Sequence, residues 1–300
     1  FQGFHSARFL YLNDEYGNAF LYRFRTWAIG AIASYPIDRF NRLDVGLNWL
    51  NLSRENLDYP LERAQRRSLI LPTLSYVNDN SLWQGGWFGP NNGSRLNLTF
   101  YGSAKLGNES LDLQTWVADY RKYTKFLKEY IFVYRLSGGI SNGKDRQNFF
   151  IGGTDGWINR RFDGGSIPIV NVEDYAFLTP VLPVRGYNYN ARSGTRFAVA
   201  NVELRFPLVR YFILGALPIG FQNILGAAFV DVGSAWSNTK KWQPFYETKD
   251  GIRNKDLLVG TGFGARFIFF GFPLRIDVAW NFNGSSFSTP MYYFSLGPEF

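Results

Sequence analysis

The chain has 300 residues, 19% of them aromatic and only 19% charged, with a net charge of +8, no Cys, one His and one Met. That composition excludes a disulfide scaffold, a thiolate nucleophile and a Cys/His zinc site. No apolar run reaches the ~18 residues of a membrane-spanning helix, and the aromatic load is too large to be left solvated as in a disordered chain.

Period-2 alternation dominates and predicts twelve strands. They fall at 6–14, 19–37, 42–54, 68–80, 94–106, 110–126, 129–141, 195–208, 224–236, 257–270, 273–282 and 291–300. Early in this series Leu43, Val45, Leu47 and Trp49 alternate with Asp44, Gly46 and Asn48; near its end Leu274, Ile276, Val278 and Trp280 oppose Arg275, Asp277, Ala279 and Asn281. Each strand therefore has an apolar face and a charged or small face. A soluble sandwich would show the same alternation, so length decides the sign. Segments of ~10–13 residues exceed the ~5–6 of soluble strands and suit a strand tilted across a bilayer. Aromatics at segment ends (Trp236, Trp280, Phe282, Phe269, Phe270) fit an interfacial girdle, which turns the apolar face toward lipid. Asp38-Arg39-Phe40-Asn41 and Gly271-Phe272 read as tight turns.

The stretch 142–194 stands apart. It is rich in Gly, Asn and Asp, lacks alternation, and is long enough to imply a functional loop. No catalytic constellation is legible. His5, the lone imidazole, lies beside the N-terminus, so His-based acid–base chemistry would have to use it; no enzyme and no cofactor are expected. Gly260, Gly262 and Gly264 alternate inside a strand with no helix after them, which points to small inward positions beside something bulky instead of a nucleotide loop. Asn78-Asp79-Asn80 reads as an ordinary turn and Asp163-Gly-Gly-Ser-Ile lacks nucleophile-elbow spacing. Lys and Arg are dispersed with no basic arm, so no nucleic-acid partner is expected. Phe1-Gln2-Gly3-Phe4 is not a signal peptide, which leaves a mature chain or a fragment.

One group of residues carries chemistry. Val184, Arg185, Gly186 and Tyr187 lie in the long loop, downstream of Phe150-Ile151-Gly152-Gly153. After them come Glu203 on one strand and Asp231 on the next, within Phe229-Val230-Asp231-Val232-Gly233. Glu203 shares its side with Asn201 and Arg205, which turns it inward. An Arg between carboxylates on neighbouring strands invites a bidentate contact; charge alone leaves open three unrelated surface charges.

These elements, in this order and with the closing Phe294-Ser-Leu-Gly-Pro-Glu-Phe300, resemble the barrel of the BamA/TamA outer-membrane assembly superfamily, which includes two-partner secretion transporters. The resemblance covers roughly 68–300. It implies an all-β fold, a transmembrane antiparallel β-barrel of sixteen strands, with the loop 142–194 extracellular and folded into the lumen. There Arg185 is expected to pair with Glu203 and Asp231 of the wall, with Gly152 and Gly153 at the loop base. It further implies localisation in a bacterial-type outer membrane, lipopolysaccharide or phospholipid around the barrel, polypeptide substrates, and periplasmic or lipoprotein accessory subunits. The POTRA modules that precede such barrels are not visible, so residues 1–300 are expected to be the C-terminal barrel of a longer protein. The implied function is insertion of outer-membrane proteins or translocation of polypeptides through a weak seam, with Gly297, Pro298 and Phe300 on the closing strand. A dedicated or passive transport pore is the alternative.

Overall fold

The computed structural model describes residues 1–13, 17–83, 89–105, 107, 110–163, 172, 182–214, 219–238, 241–249 and 251–297. Its strands are β1 (Gln2–Asn13), β2 (Ala19–Pro36), β3 (Asn41–Asn56), β4 (Gln65–Asp79), β5 (Gly93–Ser103), β6 (Leu113–Phe126), β7 (Tyr130–Asn142), β8 (Phe149–Ile151), β9 (Arg192–Gly194), β10 (Arg196–Leu214), β11 (Ile219–Trp236), β12 (Phe245–Thr248), β13 (Gly251–Asn254), β14 (Leu258–Phe269), β15 (Phe272–Asn281) and β16 (Met291–Leu296). Twelve of them form one antiparallel sheet in the order β1-β2-β3-β4-β5-β6-β7-β10-β11-β14-β15-β16. The other four are short hairpins in the connections, β8 with β9 and β12 with β13. All twelve predicted strands are therefore in the sheet, whose edges are β1 and β16. Among the described residues the count stops short of sixteen and no ladder joins those two edges.

Local chemistry sets the short turns. The Asp38 carboxylate accepts from the backbone N–H of Phe40 (2.7 Å) and Asn41 (2.9 Å), an Asx-type turn, and the Phe40 bond first of all holds this carboxyl below its ordinary pKa. The later turn is Phe270-Gly271, both at positive φ, with Phe272 already paired to Phe269; it sits one residue earlier than expected. The β10–β11 hairpin runs further than the alternation predicts, to Leu214 and back from Ile219. Its register shifts between Pro207 and Val209, where proline cannot donate a ladder bond. Two strands end early: β5 stops at Ser103 and β16 at Leu296.

The faces have the expected sense. Val45, Leu47, Trp49, Val202, Val230 and Phe263 are exposed, while Arg275, Asp277, Asn201 and Glu203 are buried on the opposite side. The Trp27 and Trp49 rings meet edge to face at 5.1 Å on the outer side. Beyond them toward the loop end, that side changes from Ile29 and Leu47 to Arg23, Arg25 and Glu55, so the aromatic pair stands where the outer face turns from apolar to charged. One expectation is corrected. At the loop end the inner face is apolar: Leu52, Leu69 and Leu113 are buried in a cluster with Leu111 and Val172. Phe197 and Val199 are buried with Ile151, Leu182, Val184 and Leu258. The long connection packs there, excluding the water that a charged wall would need. It is also not structureless, since it contains the β8–β9 ladder and bridges from Ile151 to Leu182 and from Gly153 to Val184.

Candidate functional site

Residues 182–187 lie against the inner face of β10, β11, β14 and β15. Strand register places Asn201 opposite Asp231, Asp231 opposite Gly260, and Gly260 opposite Asn281, a polar row across four strands. Val184 anchors the segment in the apolar cluster above this row; it fits because Gly233 leaves the wall open, where a Cβ would come within 2.7 Å of Val184. Arg185 follows, 1% exposed.

Its guanidinium is fully engaged. Arg185 Nε donates to Asp231 Oδ2 at 2.7 Å and Nη2 to Oδ1 at 3.0 Å, while its backbone N–H reaches Oδ2 at 2.9 Å. Nη1 donates to Glu203 Oε2 at 3.0 Å. The guanidinium carbon lies 3.4 Å from the Phe229 ring centroid, a cation–π contact on the floor of the site. Asn201 Nδ2 bridges Asp231 Oδ1 (2.9 Å) and the Pro183 carbonyl (3.0 Å). Glu203 also accepts from Arg205 Nε at 2.7 Å and faces Arg266 Nη2 at 3.5 Å; Arg266 Nη1 reaches Asp277 at 2.5 Å. Three guanidinium groups thus alternate with three carboxylates out of contact with solvent. Such a cluster is costly to desolvate and more costly to break, because deleting a member leaves its buried partners short of counter-charge.

Gly186 makes the approach possible. Its φ is +95°, and a Cβ would meet the Trp280 carbonyl and Asn281 nitrogen at under 3 Å. Gly260 serves the same purpose from the wall, where a Cβ would lie 1.7 Å from the Arg185 carbonyl oxygen. Of the small inward positions of β14, Gly260 faces the loop, whereas Gly262 and Gly264 are closed off by the wall's own Phe229 and by Arg266 with Asp277. Gly186 N–H donates to the Tyr293 hydroxyl at 2.8 Å, which in turn donates to the Tyr187 carbonyl at 2.9 Å. Tyr187 OH donates to the Val259 carbonyl and accepts from its N–H; burial pushes this phenol's pKa up, so it stays a neutral donor and acceptor.

The structure brings Val184, Arg185, Gly186, Tyr187, Glu203 and Asp231 into one cluster. Gly152 and Gly153 join it at the base, donating their N–H groups to the Leu182 and Tyr187 carbonyls. Gly297 lies outside it: it follows the last residue of β16, and its N–H donates to the Pro273 carbonyl of β15. Pro298 and Phe300 lie outside the described residues. Arg266, Asp277 and Tyr293 were not singled out by sequence reasoning. The available signal was their in-phase alternation with Gly264, Arg275 and Ser295 on inward-facing positions. His5 is exposed on β1, and among the described residues no cluster of His, Cys, Asp and Glu could hold a metal. The arrangement is suited to clamping a loop.

Comparison with known proteins follows the same lines. A family model described as the Omp85 superfamily domain matches residues 5–300, a longer span than the motifs alone indicate. No curated protein sequence matches. Among solved structures, BamA from Haemophilus ducreyi lacking POTRA domains 1–3 is similar at a TM-score of 0.60 and 16% identity, covering 93% of this chain and 55% of that one. CdiB from Escherichia coli (TM-score 0.56, 12% identity, 97% and 48% covered) and CdiB from Acinetobacter baumannii (0.52, 14%, 94% and 44%) share the fold. The chain spans about half the length of the solved structures it matches.

Proposed function

The chain belongs to the Omp85 superfamily, whose members are outer-membrane β-barrels, and from that membership we propose that it inserts outer-membrane proteins or translocates polypeptides. In this reading residues 1–300 are the barrel portion of a larger assembly, with the long loop reaching into the lumen from the cell exterior. Lipid surrounds the apolar face, and periplasmic modules or lipoprotein subunits deliver the polypeptide.

The observation that carries the proposal is the coupling between the Arg185 clamp and the last strand. Tyr293 lies on β16, an edge of the sheet, and its hydroxyl holds Gly186 and Tyr187 on either side of the clamp's turn. An edge strand presents backbone groups that can template an incoming strand by augmentation. A loop locked to that strand sets where the edge lies and how far it can move.

The test is reconstitution in liposomes, with the folding of an unfolded outer-membrane barrel followed by its heat-dependent gel migration. Wild-type chain is expected to accelerate folding and Arg185→Ala to abolish most of the acceleration while its own barrel still forms. Wild-type acceleration and protease resistance in Arg185→Ala would reject the lock. Ion conductance with no acceleration in either protein would favour a transport pore.

A further inference from the structure

The outer face of β6, β7, β10 and β11 carries a trough. Strand register aligns Ala118, Gly138, Ala198 and Ser234 in one row across these four strands. The next row toward the loop end is bulky, with Trp116, Ile140, Arg196 and Trp236, and on the other side stand Tyr120 and Leu136. Small side chains between large ones leave two adjoining hollows of about 680 and 550 Å³, which share Ala118, Gly138 and Trp236. Trp242 closes the β11 end: its indole N–H donates to Ser234 Oγ at 2.9 Å, and its ring centroid lies 5.8 Å from that of Trp236. All four strands are paired on both sides, so the trough belongs to the interior of the sheet.

Arg196 stands at the head of this trough. It is the first residue of β10, opposite Ile140 and the last residue of β11, Trp236, both uncharged. Its Nε is shut off from solvent and has no acceptor, and among the described residues no carboxylate pairs with its guanidinium. A buried donor left unsatisfied costs the desolvation of that group, so the position is completed by an acceptor from outside the chain. A guanidinium flanked by tryptophans at the end of a membrane-facing wall lies at headgroup depth, where its planar fork matches a phosphate. The apolar trough that runs on from it matches acyl chains.

We propose that the trough is a lipid site that holds one lipopolysaccharide molecule, with a phosphate on Arg196 and acyl chains in the two hollows beside Gly138. The choice of lipid rests on the reading that the long loop lies outside the cell, because Arg196 is at that end of the wall and so in the exterior leaflet. Two hollows with a common rim suit a lipid with several chains on one phosphorylated headgroup. Gly138 keeps the rim low: a Cβ there would meet only the Phe197 carbonyl oxygen, at 3.5 Å, so a larger side chain has room and would fill the trough without disturbing the wall.

The test is native mass spectrometry of the full-length protein released from phosphatidylethanolamine vesicles doped with lipid A or, in a parallel set, with phosphatidylglycerol. Wild type is expected to retain lipid A. Arg196→Gln should lower its apparent affinity about tenfold, the loss of a charge-assisted contact, and Arg196→Lys should restore part of it. Gly138→Leu should lower retention at least as far while heat-modified gel migration stays that of wild type. No retention by wild type, or equal retention by wild type and both Arg196→Gln and Gly138→Leu, overturns the site. Phosphatidylglycerol retained in preference to lipid A overturns the lipopolysaccharide assignment. Orientation is read separately. The chain has no cysteine, so Lys241→Cys, in the connection after β11, introduces the only thiol for an impermeant maleimide. Labelling only after lysis rejects the exterior reading and the lipopolysaccharide assignment with it; labelling of intact cells with no lipid A retained rejects the site alone.

Discussion

Two sets of arginine–carboxylate pairs on this sheet have the same chemistry and differ in what they are worth. Arg23 and Arg25 grip Glu55 on the outer side of β2 and β3, beyond the Trp27–Trp49 pair, with side chains 24–41% exposed. Arg185 grips Asp231 and Glu203 on the inner side, with none of the three more than 1% exposed. Water screens the first set, and losing a partner leaves a charge that water can solvate. In the second, the loop that supplies the arginine also seals the site, so contact and cover are lost together. A sheet residue gains energetic weight here when the loop lies over it.

That contrast orders the expected effects of substitution. Arg185→Ala leaves two buried carboxylates short of a counter-charge and is expected to cost about 3–5 kcal/mol, read as a lowered temperature of heat-modified gel migration; Arg185→Lys should recover only part, lacking the planar fork. Gly260→Val drives a side chain into the Arg185 carbonyl and is expected to cost about 1–3 kcal/mol, with new protease cleavage between 182 and 194 while the sheet stays resistant. Tyr293→Phe removes both bonds of the hydroxyl bridge at about 1 kcal/mol each. It should uncouple the loop from β16, visible as faster hydrogen exchange at Gly186. Gly297→Val places a branched residue at φ +98°, a strain of about 1–3 kcal/mol confined to the end of β16. If the closing strand matters to insertion, the folding rate of a substrate barrel falls several-fold; an unchanged rate would remove Gly297 from the seam. Glu55→Gln is expected to cost under about 1 kcal/mol, and the difference should vanish in ~1 M salt. A Glu55 effect as large as that of Arg185 would break the comparison.

Much of this was legible because its signal is local. Leu274 to Trp280 alternate with Arg275 to Asn281 whatever surrounds them, and the same holds for Asn201, Glu203 and Arg205 against Val202 and Leu204. The loop arginine and the two wall carboxylates were likewise readable from order and phase. What escaped was the inward apolar set, Leu52, Leu69, Leu113, Phe197 and Val199. Alternation marks two faces and does not reveal that the loop would cover one end of the inner face. Arg266, Asp277 and Tyr293 escaped because each looked like one more inward residue until Glu203 and Gly186 were placed beside them. The pairing of Asn159 with Phe294 joins residues 135 apart, and so short a segment of the loop has too little period to announce a strand.

The amino-acid sequence by itself determined the twelve strands of the main sheet, the two faces of each, and the charges available for the clamp, since backbone geometry imposes a two-residue period wherever a strand forms. Only the tertiary structure decided which charges lose contact with water, which glycines admit the loop, and which loop residues pair with β16. Those outcomes depend on where a connection without periodicity comes to rest, and burial and edge pairing are properties of distant segments brought together.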